Sequence, residues 1–226
     1  MSITKGLDPK AVWEYVSRTL TNHIETIHDA FLQIAQNRGC FYDDFGDNKL
    51  SDRDNFVAMF ESIFGVGRPE WTVEEGSPSV SDGELILPAG NTTPQRVSTP
   101  CKITSGVWEI GFKFMTAPSS GSFRMSLIYQ NGSNYYILYN DILSNKILLH
   151  KREAGSISDP ISHTGAVKDT DYHVIKVTRD SSGNWEIFLD GTSIGTTTDS
   201  FVPTPTVIDI SNYTDAEVHV DYVKVY

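Results

Sequence analysis

Glu217, His219 and Asp221 alternate with Val218 and Val220. On an extended backbone every second side chain shares a face, so the three polar groups fall on one side. Two carboxyls on one face are the raw material of a retaining glycosidase when they stand about 5–5.5 Å apart. A histidine stands between these two, and a solvated strand face explains the pattern as well. A second group is aromatic: Tyr129, Tyr135, Tyr136 and Tyr139 cluster around Asn131–Asn134, with Asn140 and Asp141 alongside. Aromatic rings with a few planar polar groups are what a sugar site uses. Alternation puts Tyr135 and Tyr139 on one face and Tyr136 on the other. Tyr129, Tyr135, Tyr139, Asn140 and Asp141 are therefore the candidate carbohydrate-binding residues, with plain packing as the competing reading. No nucleophile elbow, phosphate-binding loop or dinucleotide fingerprint is present. The six histidines do not cluster at metal-ligand spacing, and Cys40 and Cys101 form no Cys-x-x-Cys pair, which disfavours zinc.

Composition limits the partners. The chain has 226 residues and a formal net charge of −11. An acidic surface disfavours nucleic acid and anionic membranes. No apolar run approaches the roughly 18–20 residues needed to span a bilayer. The N-terminal Met-Ser-Ile-Thr-Lys-Gly-Leu-Asp-Pro lacks the apolar core of a secretory signal, so none is expected. With two cysteines, no disulfide framework is expected, and buried thiols are the simpler reading.

These groups need elements to hold them. Residues 1–39 read as a helical attachment or oligomerisation segment. Asp8-Pro9 gives an N-cap and a proline at the first helical position. Ile24, Ile27, Phe31 and Ile34 recur at spacings of 3, 4 and 3. That is an a/d stripe, and isoleucine at both positions favours three or four strands over two. The stripe is the candidate oligomer interface, with a trimer favoured; packing on the chain's own sandwich is the alternative. Residues 40–226 read as a β domain with a helical insertion at about 51–66. There Phe56, Met59, Phe60, Ile63 and Phe64 form an apolar stripe at helical spacing. Short strands follow at close intervals. They include Ser79–Ser81 and Glu84–Leu87 about Asp82-Gly83, and Trp108–Phe114 with strict alternation. A meander of Phe123–Tyr129, Tyr135–Ile142 and Lys146–Arg152 comes next. The pattern predicts a two-sheet antiparallel sandwich.

The C-terminal half carries a resemblance. Arg179-Asp180-Ser181-Ser182-Gly183-Asn184-Trp185, then Asp190-Gly191, then the terminal Asp221-Tyr222-Val223-Lys224-Val225-Tyr226, resemble the hairpin and last strand of the concanavalin A-like lectin/glucanase jelly roll, near its laminin G-like branch. The resemblance covers roughly residues 41–226. It implies that Phe41–Phe45 opens the jelly roll and pairs with Val218–Tyr226. It also implies a structural calcium, for which Asp43, Asp44 and Asp221 are the candidate ligands, hard oxygens of the type calcium takes. The glucanases of the family carry their acids on a central strand. Here the pattern lies on the terminal strand with histidine in the middle, so no enzymatic activity is expected.

Val12-Trp13-Glu14-Tyr15-Val16-Ser17-Arg18-Thr19-Leu20-Thr21 is similar to a phrase near the start of tailed-phage structural proteins. That resemblance implies a fibre, tail or capsid-decoration protein on the virion exterior. It would meet other virion proteins through residues 1–39 and a host surface glycan through a lectin-like head. The alternative is a monomeric carbohydrate-binding module or a degenerate glycoside hydrolase.

Overall fold

The computed structural model describes residues 41–43 and 71–226. The described residues form fifteen strands: β1 (Phe41–Asp43), β2 (Thr72–Glu75), β3 (Ser79–Ser81), β4 (Glu84–Leu87) and β5 (Gln95–Pro100). Next come β6 (Gly106–Phe114), β7 (Ser122–Asn131), β8 (Asn134–Asp141), β9 (Lys146–Glu153) and β10 (Ser156–Thr164). The last are β11 (His173–Arg179), β12 (Asn184–Leu189), β13 (Thr192–Thr198), β14 (Val207–Asn212) and β15 (Val218–Val225). They form two antiparallel sheets. The eight-stranded sheet has the order β13-β12-β11-β6-β15-β4-β3, with β1 also paired to β15; the seven-stranded sheet has the order β10-β9-β8-β7-β14-β5-β2. The architecture is mainly β, as the sequence predicts. The helices expected in residues 1–39 and 51–66, the stripe Ile24/Ile27/Phe31/Ile34 and the Val12–Thr21 phrase all lie outside the described residues. Among the described residues, no helix is long and apolar enough to cross a membrane.

Alternation builds the core. Trp108, Ile110, Phe112 and Phe114 of β6 point inward, joined by Ile175 and Val177 of β11 and Trp185 and Ile187 of β12. From the opposite sheet come Met125 of β7, Tyr136 and Leu138 of β8, and Ile208 and Ile210 of β14. Each such side chain, fully buried, contributes about 1.5–3 kcal/mol. Trp108 stacks on Trp185 at 5.9 Å between ring centres, and Tyr136 closes on Trp185 at 4.7 Å. Arg179 is buried beside this group, and among the described residues no carboxylate pairs with it. Its guanidinium donates to the Thr104 carbonyl at 2.7 Å and lies 5.3 Å from the Trp185 ring centre.

Turn chemistry matches the backbone. Asp82 and Gly83 both have positive φ, 54° and 79°, the conformation a tight two-residue hairpin needs. Asp180 caps the β11–β12 turn by accepting from the amides of Ser182 and Asn184.

β1 pairs with β15 through Phe41↔Val225, Tyr42↔Lys224 and Asp43↔Val223, so the first and last strands do meet. The described pairing covers residues 41–43; residues 44 and 45 of the expected strand lie outside the described residues. A bulge in β15, between Val220 and Tyr222, interrupts the simple alternation expected of Glu217, His219 and Asp221. Tyr222 takes the outward position above Gly111, where a Cβ would stand 2.7 Å from its ring.

Candidate functional site

The seven-stranded sheet turns an aromatic row away from the core. β8 supplies Tyr135 and Tyr139 to this face, while Tyr136 and Leu138 face the core. Tyr129 joins them through a bulge. β7 and β8 shift register between Ser126 and Ile128, so Leu127 and Ile128 are both buried and Tyr129 is turned outward opposite Tyr135. Without the extra residue the phase would send Tyr129 into the core. Tyr129 and Tyr135 stack at 6.0 Å, Tyr135 and His150 at 5.9 Å, and His150 and Tyr139 at 4.7 Å. The Arg124 guanidinium continues the row, 4.5 Å from the Tyr139 ring centre and 4.0 Å from that of Tyr213. Such contacts contribute about 0.5–2 kcal/mol each, so the row is a preformed rigid feature rather than a set of independent side chains.

Because the rings stack on one another, a ligand meets edges and hydroxyls more than open ring faces. No described residue hydrogen-bonds the hydroxyls of Tyr129, Tyr135, Tyr139 or Tyr213. Burial outweighs the nearby Arg124 charge and raises the Tyr139 pKa, so its phenol keeps its proton. His150 is fixed by Asp159 at 2.7 Å. Asp209 of β14 lies half-buried beside the row and accepts from Ser126 Oγ at 2.6 Å. Burial pushes the Asp209 pKa up, against the opposing effects of Ser126 and of the Arg96 and Arg124 charges.

Two expected members of the sugar site belong elsewhere. Asn140 faces the core and is 1% exposed. Its amide bonds both backbone groups of Val167, at 2.9 Å each, and so holds the β10–β11 connection. It has the parity of Tyr136, not of Tyr139. Asp141 caps the β8–β9 turn, accepting from the Leu143 and Ser144 amides and from Ser144 Oγ. In their place stand His150, Arg124, Tyr213 and Asp209, which strand register alone could have singled out.

The polar groups of β15 form a different structure. His219 Nδ1 meets Glu84 at 2.6 Å and its Nε2 meets Glu217 at 2.8 Å, while Lys113 meets Glu84 at 2.6 Å. Glu217 is thus tied to an imidazole that also holds a lysine-paired glutamate. Asp221, displaced by the bulge, accepts from the Tyr172 hydroxyl at 3.2 Å. Asp221 is the one expected calcium ligand whose side chain is described; Asp43 is placed by its backbone pairing alone, and Asp44 lies outside the described residues. Among the described residues no three acidic, histidine or cysteine side chains come together in a metal-binding group. A depression of about 470 Å³ on the outer side of the eight-stranded sheet is lined by Thr178, Asn184, Glu186, Thr196 and Thr198, among others.

No protein-family model matches the chain, and no curated protein matches its sequence. Solved structures do match in shape. The carbohydrate-binding module CBM66 from Bacillus subtilis aligns at a TM-score of 0.56 and 14% identity, over 69% of this chain and 95% of the module. The exoplasmic/lumenal domain of VIP36, in a form bound to Ca²⁺ and Man3GlcNAc, aligns at 0.59 and 12%, over 69% and 83%. The carbohydrate recognition domain of Emp46p, in a potassium-bound form, aligns at 0.56 and 12%, over 79% and 94%. The chain shares the two-sheet antiparallel sandwich fold of these domains. At these identities the likeness establishes the fold alone.

Proposed function

We propose that residues 41–226 form a glycan-binding module that binds without catalysis, through the outward face of the seven-stranded sheet. The observation that carries this reading is the continuous row Tyr129–Tyr135–His150–Tyr139–Arg124–Tyr213 with its hydroxyls left open. A polyhydroxylated ligand offers both donors and acceptors, and phenols answer both. Three lectin-like or carbohydrate-binding domains of the same fold support it. The ties made by Glu217 and His219 favour a structural role for them over acid–base chemistry. The module reading is preferred to the virion-attachment reading, which rests on residues 1–39. An oligomeric virion mount, a trimer seam at Ile24/Ile27/Phe31/Ile34 and a bound calcium are expectations for residues outside the face.

The test is a glycan array probed with the full chain and with Tyr139→Ala. Binding that Tyr139→Ala abolishes while the melting transition is retained supports the face. An array blank for the full chain, or signal unchanged in Tyr139→Ala, sinks it.

A further inference from the structure

Resting on that reading, we infer that the ligand is an acidic glycan, with Arg124 as the anchor for a sugar carboxylate. The argument begins with charge placement. The chain carries a formal net charge of −11, and its outward faces do not share this excess equally. The eight-stranded sheet presents Glu84, Glu109, Glu186 and Glu217, with Asp221 on its bulge, and its cations there are the lysines Lys113, Lys176 and Lys224. The seven-stranded sheet presents the arginines Arg96, Arg124 and Arg152 on the side of the aromatic row, with Glu74, Asp159 and Asp209 among them. Register fixes this. Arg96 and Arg124 flank Ser211 on the two neighbouring strands, and Arg152 sits opposite Tyr135.

Arg124 is held but not neutralised. Its Nε donates to Ser122 Oγ at 2.7 Å, and Tyr139 and Tyr213 clamp the guanidinium plane. Among the described residues no carboxylate lies within ion-pair distance of it, and neither terminal nitrogen has a hydrogen-bond partner. A guanidinium presents a planar fork that matches a carboxylate bidentately. The two tyrosines leave that fork oriented and take up its rotational freedom before any ligand arrives. Arg96 stands two strands away, about 10 Å by strand spacing. Its one ion-pair contact is loose, 3.9 Å to Glu74, and its Nε is buried without a partner. Asp209 feels both guanidiniums, and burial nevertheless pushes its pKa up. A chain of sugars carrying repeated carboxylates would answer two fixed guanidiniums with phenol hydroxyls alongside. A neutral sugar would leave both forks facing water.

The experiment compares a short oligogalacturonate with its fully methyl-esterified counterpart, titrated calorimetrically into the full chain. The two probes share rings and linkages and differ in charge. The acid form should bind at least about tenfold more tightly, the scale of one charge-assisted hydrogen-bonded contact. Arg124→Gln should abolish that preference, and Arg124→Lys should keep part of it; both variants are checked by melting. The preference should shrink as salt is raised. Equal binding of acid and ester, with both lost in Tyr139→Ala, overturns the acidic preference and leaves the glycan-binding face intact. A preference for the acid that survives in folded Arg124→Gln overturns the role of Arg124. If neither probe binds and an array of acidic and neutral glycans is blank, both this inference and the binding reading fall.

Discussion

Asn212 → Asp is the most demanding test of the framework behind the binding face, because it changes one atom and no volume. Asn212 is fully buried at the end of β14. Its Nδ2 donates to the carbonyls of Pro88 and Ala216 at 2.8 Å and of Leu87 at 3.2 Å, while its Oδ1 accepts from the Thr214 amide at 2.9 Å. One side chain therefore joins the end of β4 to the β14–β15 turn. The substitution replaces the donor by an oxygen aimed at three carbonyl oxygens. The introduced carboxyl can escape ionisation by keeping its proton. Against an unfolded pKa near 3.9, that costs about 4 kcal/mol at pH 7. The retained O–H replaces one of the two amide donations, and losing the other costs about 0.5–1.5 kcal/mol. The total, about 5 kcal/mol at pH 7, is comparable to the whole stability of an ordinary domain. The sign with pH follows. The folded pKa of the introduced group is raised, so stability relative to the parent is regained as pH falls. The deficit should shrink by about 1.4 kcal/mol per pH unit below 7 until the pH nears 3.9. Urea unfolding followed by the fluorescence of buried Trp108 and Trp185 reads this directly. A variant within about 1 kcal/mol of the parent at pH 7, or a deficit that grows on acidification, would refute the reasoning.

Other substitutions probe the site and the opposite sheet. Asp209→Asn removes a carboxyl whose pKa burial has raised, and whose stabilising contribution is lost as pH rises through that folded value. The variant should be at least as stable as the parent at pH 7, and its relative advantage should vanish near pH 3.8, the ordinary carboxyl value; marked destabilisation at neutral pH in a melting series would contradict this. For His173, burial disfavours the charged ring, but hydrogen bonds to Asp190 and Asp169 outweigh it and raise the pKa above its ordinary 6.5. Its contribution is complete below pH 6.5 and lost as pH rises through the folded value. His173→Gln should flatten the pH dependence of the melting point there, and an imidazole pKa at or below 6.5 by NMR would overturn the account. Gly111→Val places a Cβ 1.9 Å from the Tyr172 hydroxyl, so both Tyr172 and Tyr222 must move, and about 1–3 kcal/mol of stability should go; an unchanged melting transition would show the outer tyrosines to be loosely held.

The fold was legible where one physical signal acted alone. Trp108, Ile110, Phe112 and Phe114 declared β6 by alternation, and Asp82-Gly83 and Asp190-Gly191 declared turns that the positive φ values match. The expected meander corresponds to β7, β8 and β9, within a residue or two at each end. The site was legible in part. Tyr135 and Tyr139 follow from parity within β8, but the outward turn of Tyr129 depends on a bulge that no local residue announces. Asn140 and Asp141 stand beside the tyrosines in sequence, but neither side chain joins their row. One has core parity and the other caps a turn. Arg124, His150 and Tyr213 come from three other parts of the chain. Only the register of β7, β8 and β9, together with the turn after β14, brings them together.

The place of β15 has a consequence for biosynthesis. Residues 218–225 are translated after every strand they join, yet β15 lies inside its sheet, between β6 and β4, and also receives β1. Until these residues leave the ribosome, β6 lacks one neighbour, and β1 and the β3–β4 hairpin lack their shared one. The apolar faces of Trp108, Ile110 and Phe112 wait with half a core. The eight-stranded sheet therefore cannot close until residues 218–225 have emerged, and it closes at the slow rate of non-local pairing. In that interval β6 is an unsatisfied edge, the surface a chaperone would have to shield.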